Sequence, residues 1–518
     1  MTKMKADLGK QTSDLREREA PLEMHGDEFR QLGHRLVDQI AEFLDGLPQR
    51  PVTTDKSPQV IRELLGSDTL PEQGTSPDEL FDRTANLLFD HSLFNGHPRF
   101  WGYITSSAAP IGALADLLAA TANPNVGAAV LSPIASEIEA QTIRWIADLI
   151  GYPRSCGGLL VSGGNMANFV CFLAACKAKA TWDVKADGLA AGNQRLVAYV
   201  SKETHTWIDK AAELFGLGSN AVRWIATNSN QEMDLDALEK QIMADRADNL
   251  LPFLVVGTAG TVSTGAIDPL PEIAAICKKY DLWFHVDGAY GAPAAMLPDA
   301  SIDLLGLSEA DSIALDPHKW LYSPIEAGCA LVRDPNHLVQ TFSHNVPYYN
   351  FDGEEDDPPI NYHGLGPQNT RGFRALKVWM GLRHVGREGY VKMIGDDIAL
   401  SQELFKIVGT YPELQALTQN LSIATFRFVP PDLPGDDTGV ETYLNKLNEE
   451  LLNRLQRGGE AFVSNAVIQG KYALRACIVN FRTTLSDIEA LPAIVVRLGT
   501  RVDSELRPES LRSTSSTS

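Results

Sequence analysis

Between residues 106 and 390 the sequence alternates short apolar runs with stretches of helical periodicity, and this alternation constrains the fold more than any other feature. Runs without polar alternation are typical of strands that are buried on both faces. Strands that alternate with helices predict an α/β domain with a large, mostly parallel sheet covered by helices. The runs are LVAYVS (196–201), AVRWIAT (221–227), FLVVGTAGT (253–261), LWFHVDG (282–288), DSIALD (311–316) and GCALVRD (328–334).

The segments before this domain, and the last residues of the chain, have a different character. Residues 1–20 and 504–518 are polar and low in aromatic residues, which predicts disorder. Residues 21–105 predict an N-terminal helical segment, with an amphipathic helix over 27–47 and a second helix over 78–90.

After residue 390 the pattern changes again. Residues 391–503 predict a small C-terminal α+β domain. Its expected elements are helices and strands in mixed order, with strands over 422–429, 461–467 and 473–481 and a helix over 440–457.

Two residues that follow predicted strands carry the functional prediction. Asp287 ends one apolar run, and Lys319 follows another in the sequence DPHK, 32 residues later. This spacing suits one βαβ step, and parallel strands bind ligands at their carboxyl ends. A lysine amine forms a Schiff base with pyridoxal phosphate (PLP), and a carboxylate keeps its pyridine nitrogen protonated, so that the ring acts as an electron sink. The pair predicts a PLP site, and we expect no metal.

The sequence LLVSGGNMANF (159–169) runs from a predicted strand through two glycines into a helix. Glycines let the backbone approach an anion, and a helix N-terminus offers free N–H groups. Gly163, Gly164 and Asn165 are therefore candidates to bind the cofactor phosphate. The alternative is an ordinary turn before a helix.

Two further residues lie in turns that follow strands. His205 is a candidate to stack on the pyridine ring, although a histidine in a turn is often a cap or a solvated side chain. Thr261 is a candidate to hydrogen-bond Asp287 or a cofactor oxygen, with a tight turn as the alternative.

Residues 340–371 form a long polar segment without periodicity, which is typical of a lid or a binding loop. Its phenols, Tyr348, Tyr349 and Tyr362, are candidate proton donors. The acidic sequence GEEDD within it predicts a solvated surface.

Composition restricts the partners and the compartment. A net charge of −21 argues against binding to nucleic acid or to an anionic membrane. Six scattered cysteines without a CxxC pair indicate reduced thiols, as in the cytoplasm. No apolar run approaches the roughly 18 residues of a membrane span, and the first 20 residues have no apolar signal core. We expect a cytoplasmic enzyme that acts on a small molecule.

The sequence resembles the group II PLP-dependent amino acid decarboxylases over roughly residues 24–500, and within them the aromatic-L-amino-acid decarboxylases above all. The motifs that carry this resemblance are HPRFWGYITSSAAP (97–110), SPIASEIEAQTIRWIADLIGYP (132–153), HVDGAYG (285–291), LDPHKW (315–320) and TRGFRALKVWMGLRHVGREGY (370–390). The resemblance implies the type I PLP-dependent transferase (aspartate aminotransferase-like) fold. It also implies a homodimer with shared active sites, in which the N-terminal helix wraps the partner subunit.

The resemblance also assigns roles to residues. It implies that Lys319 is the Schiff-base lysine, that Asp287 binds the pyridinium, and that His205 and Ala289 lie on opposite faces of the ring. His205 would also assist protonation. The loop tyrosine that returns a proton to the α-carbon corresponds to Tyr348 or Tyr349, with Tyr349 preferred. Around the phosphate the resemblance places Gly163, Gly164, Asn165, His318 and Thr261.

The implied reaction is that of a carboxy-lyase, which converts an L-amino acid to its amine and carbon dioxide through the Lys319 Schiff base. An aromatic amino acid is the first expectation, and an acidic or other polar one is the next. The sequence has Asn125 and Gly127 where aromatic-amino-acid decarboxylases have an aliphatic and an aromatic pocket residue. Candidate substrate-binding residues are Tyr103, Ser106 and Trp207, of which Trp207 would either fill the pocket or pack elsewhere.

Three other functions remain as alternatives. Relatives with a loop phenylalanine form aldehydes by oxidative decarboxylation and deamination, but Tyr348 and Tyr349 argue against this reaction. Sphingosine phosphate lyases share the Asp and Lys motif but are anchored in membranes. A non-catalytic dimeric relative would have no physical need for Lys319 and Asp287.

Overall fold

The structure, a computed structural model, describes residues 20–66, 69–344, 359–433 and 438–511. Tyr348 and Tyr349, the segment 512–518 and all of the segment 1–20 except Ala20 lie outside the described residues. The chain divides into two compact units between Leu93 and Phe94.

The described part of the first unit is helical, and both predicted helices are confirmed. One of them begins after Ser76, whose hydroxyl accepts a hydrogen bond from the backbone N–H of Glu79 at 3.4 Å. Phe43 and Phe89 stack with ring centroids 4.4 Å apart, which joins the first and third helices. The helices are α1 (Gly26–Gly46), α2 (Pro58–Leu65) and α3 (Pro77–His91).

The second unit contains two sheets and the helices that cover them. Its strands are β1 (Phe100–Trp101), β2 (Gly157–Val161), β3 (Leu196–Ser201), β4 (Val222–Ile225), β5 (Leu251–Thr258), β6 (Trp283–Asp287), β7 (Ser312–Leu315), β8 (Gly328–Val332), β9 (Leu414–Asn420), β10 (Ile423–Phe428), β11 (Phe462–Ile468) and β12 (Lys471–Cys477). Its α-helices are α4 (Pro110–Ala122), α5 (Pro133–Leu149), α6 (Gly164–Lys179), α7 (Val184–Asp187), α8 (Trp207–Leu214), α9 (Leu235–Ala247), α10 (Leu270–Tyr280), α11 (Asn336–Phe342), α12 (Ala375–Val408), α13 (Thr438–Gly458) and α14 (Leu485–Leu506).

The large sheet has seven strands in the order β2-β8-β7-β6-β5-β3-β4. Strands β4, β3, β5, β6 and β7 pair in parallel, and β8 pairs antiparallel with both β7 and β2. The predicted α/β class with a mostly parallel sheet is confirmed. The carboxyl ends of β2, β3, β5, β6 and β7 therefore lie at one edge of the sheet.

The small sheet has five strands in the order β1-β11-β12-β10-β9. Strand β1 belongs to it through parallel pairing with β11, in which Phe100 is opposite Phe462. Residues 94–105, which the sequence analysis places in the N-terminal helical segment, thus contribute a strand to the C-terminal sheet. Two residues of strand are too short a pattern to detect in the sequence.

The expected boundary at residue 390 falls inside the helix α12, whose helical geometry is interrupted at Gly386. The helix packs in two cores, because Val378 belongs to that of the large sheet and Leu404 to that of the small sheet. A helix shared between two cores has no break in composition at the boundary.

The described end of the chain is helical rather than irregular. The helix α14 extends to Leu506, and a 3-10 turn covers Glu509–Leu511. None of the helices in the described ranges combines the length and the apolar character that a membrane crossing requires.

Candidate active site

A cavity of about 330 Å³ opens at the carboxyl edge of the large sheet. Each of the strands β2, β3, β5, β6 and β7 is followed by residues that line it, as expected for a parallel sheet. Eight of the residues singled out in the sequence meet here: Gly163, Gly164, Asn165, His205, Asp287, Ala289, His318 and Lys319.

Asp287 ends β6, and its side chain is buried with 6% of its surface exposed. One carboxylate oxygen, Oδ2, accepts a hydrogen bond from the indole N–H of Trp207 at 2.8 Å. The other, Oδ1, accepts one from the backbone N–H of Ala289 at 3.2 Å. The two donors therefore fix the orientation of the carboxylate in the cavity wall.

Lys319 lies in the turn after β7, where its Nζ is 3.2 Å from Oδ2 of Asp316. His318 is next to it, and its Nε2 is 3.8 Å from the same oxygen. The hydroxyl of Ser106 donates a hydrogen bond to the backbone carbonyl of His318 at 2.7 Å. This turn thus presents the amine of Lys319 and the imidazole of His318 to the cavity. The hydrogen bond from Ser106 holds the backbone of the turn in place.

The glycine turn before α6 lies against Asp316. Gly163 has φ of +140°, a conformation that side chains strongly disfavour. A Cβ atom on Gly164 would lie 2.7 Å from Oδ2 of Asp316, so only glycine fits without movement. With Asn165 this turn offers backbone N–H groups at the start of a 16-residue helix, which is an anion-binding arrangement.

His205 follows β3, and its Nδ1 accepts a hydrogen bond from the backbone N–H of Trp207 at 3.3 Å. Loss of solvent around the ring lowers the pKa of His205 below the ordinary imidazole range. The carboxylate of Asp287 opposes this effect, and the charge of Lys319 reinforces it. At neutral pH the ring is therefore neutral, with its proton on Nε2.

A series of hydrogen-bonded, buried polar side chains supports strand β6, which ends at Asp287. His285, two residues before Asp287, contacts Oγ of Ser312 at 2.8 Å through Nδ1 and Oδ1 of Asn168 at 2.7 Å through Nε2. Burial lowers the pKa of His285 to about 4, so this histidine is neutral too. Asn168 lines the cavity, and the series therefore connects the cavity floor to β7.

Five sequence candidates lie outside the cavity lining. The hydroxyl of Thr261 is 3.1 Å from that of Thr264 and accepts from the backbone N–H of Ala266, so the expected bond to Asp287 is replaced by a local turn. Tyr103 packs near Phe462, with ring centroids 6.1 Å apart. Ser106 and Trp207 act through His318 and Asp287, as described above. Tyr362, a candidate proton donor, is buried beneath the guanidinium of Arg371 at 4.7 Å.

The cavity also contains polar residues that the sequence analysis did not single out: Thr258, Asp316, Glu203 and Asn168. Thr258 is directly opposite Asp287 in the parallel pairing of β5 with β6. Its buried hydroxyl has no hydrogen-bond partner among the described residues, so its hydrogen-bonding capacity is unused there. The sequence signal that could have identified Thr258 as a site residue is its position near the end of a predicted strand.

These residues fit PLP. The cavity brings together an amine, a buried carboxylate, a neutral imidazole, a glycine turn at a helix start and the unpaired hydroxyl of Thr258. The negative charge of Asp316 near the glycine turn is offset by the amine of Lys319 at 3.2 Å. The fold and the site define a PLP-dependent enzyme.

Comparison with known proteins narrows this class. Residues 58–428 match the pyridoxal-dependent decarboxylase conserved domain. The chain is 34% identical over 469 residues to an aromatic-L-amino-acid decarboxylase of Bacillus atrophaeus, covering 90% of this chain and 94% of that one. It is 27% identical over 460 residues to a phenylacetaldehyde synthase of Petunia hybrida, covering 87% and 90%. The crystal structure of Oryza sativa TDC with PLP and tryptamine superposes with a TM-score of 0.86 at 25% identity, covering 93% and 99%.

The chain belongs to the pyridoxal-dependent decarboxylase family. It is a carboxy-lyase with the type I fold, and its cofactor is PLP.

The glycine turn gives a test of cofactor binding. Gly164→Ala would place a Cβ 2.7 Å from Asp316, so the turn must shift and the dissociation constant of PLP should rise about tenfold. Absorbance titration of the cofactor-free protein measures this constant. Gly458→Ala, where a Cβ meets nothing within 4 Å, is the matched control and should bind PLP like the wild type. Equal affinity of both variants would remove the glycine turn from the cofactor site.

Proposed function

We propose that this carboxy-lyase converts an aromatic L-amino acid to its amine and carbon dioxide, with PLP held by Lys319, Asp287 and His205. The observation that carries the proposal is the convergence of these three side chains on one cavity. PLP bound there supplies an electron sink for the electrons of the bond to the departing carboxylate.

The residues of the chain have distinct tasks in this site. Lys319 would hold PLP through a bond from Nζ, before and after each turnover. Asp287 would lie against the ring nitrogen and favour its protonated form, and the neutral ring of His205 would stack on one face of the ring. Ala289 is small enough to leave room on the other face. Gly163, Gly164, Asn165 and His318 would bind the phosphate.

The neutral state of His205 bears on the proton that the α-carbon must receive. A lowered pKa means that the ring carries no extra proton at neutral pH, so it is a weak general acid there. This supports a phenol as the donor. From the resemblance alone we assign the role to Tyr349, with Tyr348 as the alternative.

The charges of the cavity support an aromatic substrate over an acidic one. Three carboxylates line it, those of Glu203, Asp287 and Asp316, and they repel a side-chain carboxylate. No arginine is among the described lining residues. Ile104 and Val262 give the wall apolar surface. The Bacillus atrophaeus relative, named as an aromatic-L-amino-acid decarboxylase, supports the same class.

The departures at Asn125 and Gly127 are explained by the fold rather than by a polar substrate. Oδ1 of Asn125 accepts hydrogen bonds from the backbone N–H groups of Gly127 at 3.1 Å and Arg371 at 3.0 Å. A Cβ on Gly127 would lie 2.3 Å from the carbonyl oxygen of Asn369. Both residues are thus required by the backbone of this loop.

The experiment is carbon dioxide release from all common amino acids, L-DOPA and 5-hydroxytryptophan with added PLP, with amine, aldehyde and peroxide measured in the same tubes. We expect amine from an aromatic substrate. Lys319→Ala should abolish turnover because the described lining of the cavity contains no second lysine that could hold the cofactor covalently. Amine from glutamate, aspartate or histidine alone would discard the aromatic class. Turnover preserved in Lys319→Ala would refute the role of that lysine.

The assignment of the proton donor has its own test. Tyr349→Phe should slow amine formation by about a hundredfold and shift the product towards aldehyde, ammonia and peroxide, because the phenol no longer protonates the α-carbon. Product analysis of Tyr349→Phe beside Tyr348→Phe measures this shift. If Tyr348→Phe shows the shift and Tyr349→Phe does not, the assignment is reversed. Aldehyde from the wild type would instead favour the reaction named for the Petunia hybrida relative.

We also propose that the enzyme is a homodimer of the cytoplasm. Its six free cysteines support a reducing compartment, and the exposed Phe29, Val37 and Ile40 on α1 support burial of this helix by a partner subunit. Light scattering should give about twice the chain mass of 56.5 kDa, and cell fractionation should place the protein in the soluble fraction. A monomer with full activity would contradict the shared site.

A further inference from the structure

Trp207 is the first residue of α8 and is completely buried, with 0% of its surface exposed. Its ring packs edge-to-face against His285 at 5.8 Å and Phe172 at 6.4 Å between centroids. These contacts hold the indole in one orientation. The side chain therefore belongs to the core beneath the cavity rather than to a substrate pocket.

The orientation of the ring aims its single polar atom at the cofactor site. The indole N–H donates to Oδ2 of Asp287 at 2.8 Å. The backbone N–H of the same residue donates to Nδ1 of His205 at 3.3 Å. Trp207 thus contacts both the carboxylate and the imidazole that face the cavity.

We propose that Trp207 is a positioning residue for the reaction. Its indole N–H orients the carboxylate of Asp287 and stabilises the negative charge there, which keeps the ring nitrogen of PLP protonated. Its backbone N–H fixes the rotation of His205 and leaves the Nε2 proton on that ring. This inference rests on the proposed cofactor site.

The physical reason lies in the balance of charge between the carboxylate and the ring nitrogen. A donor on the charged carboxylate favours that form, and charge-assisted bonds in a buried site are strong. Without the donor, the carboxylate attracts the proton of the pyridinium more strongly. A ring nitrogen that loses its proton is a weaker electron sink. The bond to the leaving carboxylate then breaks more slowly, although the substrate binds as before.

A merely structural role is the competing explanation, because a buried tryptophan also fills volume. Two substitutions separate the roles. Trp207→Phe retains an aromatic ring but removes the N–H donor. Trp207→His retains less volume, but Nε2 of a histidine lies at the same position in its five-membered ring as Nε1 of tryptophan, so the donor can be restored. Packing alone predicts that the histidine variant is the worse of the two.

The experiment measures three quantities on the full-length protein: the dissociation constant of PLP, the pH at which the visible absorption of bound PLP changes, and kcat and KM separately. For Trp207→Phe we expect PLP binding about tenfold weaker, a shifted absorption pH, and kcat reduced at least about tenfold with KM within about twofold, as is typical for loss of a bond to a charged group. Trp207→His should recover most of the affinity and of the absorption pH. Trp224→Phe, which changes a tryptophan 39% exposed on β4, is the control and should match the wild type.

The outcomes distinguish this inference from the function on which it rests. A wild type that binds no PLP would refute the cofactor site itself. A wild type that binds PLP, with Trp207→Phe changed only in thermal stability, would overturn the role of Trp207 alone. A histidine variant worse than the phenylalanine variant in all three measurements would also overturn it. If Trp207→Phe does not fold, Trp207→His decides the question through its PLP affinity, since the donor role requires near wild-type binding.

Discussion

The parallel hydrogen-bonded pairing of β5, β6 and β7 is the constraint on which the site depends. It places Thr258 beside Asp287 and Asp287 beside Ala314 at the ends of adjacent strands. Lys319 follows β7 by only four residues and therefore emerges at the same edge. A shift of one residue in this register would turn Asp287 to the opposite face of the sheet. The packing of the covering helices and loops then determines which side chains contact each of these residues.

Buried charge is the second constraint, because each ionised group in the site must have partners. Asp287 has two N–H donors, and Asp316 has Lys319 within 3.2 Å. Beneath the glycine turn, the buried guanidinium of Arg371 contacts Glu139 and the backbone carbonyl of Leu160 on β2. Such a pair is costly to break rather than strongly stabilising, so it serves mainly to fix geometry. The strand that leads into the turn is thereby anchored to α5.

Much of the fold was predictable because the large sheet is buried on both faces. Its strands are continuous apolar runs, and six of them were found within a few residues of their observed limits. The strand β9 was missed because it lies at the edge of the small sheet, where LQALTQN is half-exposed and mixed in character. In the site, Lys319, Asp287, His205 and the glycines were predictable from residue type and spacing. Thr258 was not preferred over Thr261, because both lie in one Thr-rich strand end.

The sequence by itself determined the alternation of strands and helices in the large sheet, and the chemical groups that a cofactor of this kind requires, since both depend on local pattern and residue type. Only the tertiary structure decided which groups meet. Trp207 and Asp287 are 80 residues apart in the chain, yet their side chains form a hydrogen bond. That contact forms because α8 packs near the carboxyl edge of the large sheet. In this position the indole N–H of Trp207 points towards Asp287 at the end of β6. Local pattern predicts that such a helix forms, but the packing of the surrounding core sets the direction in which its side chains point.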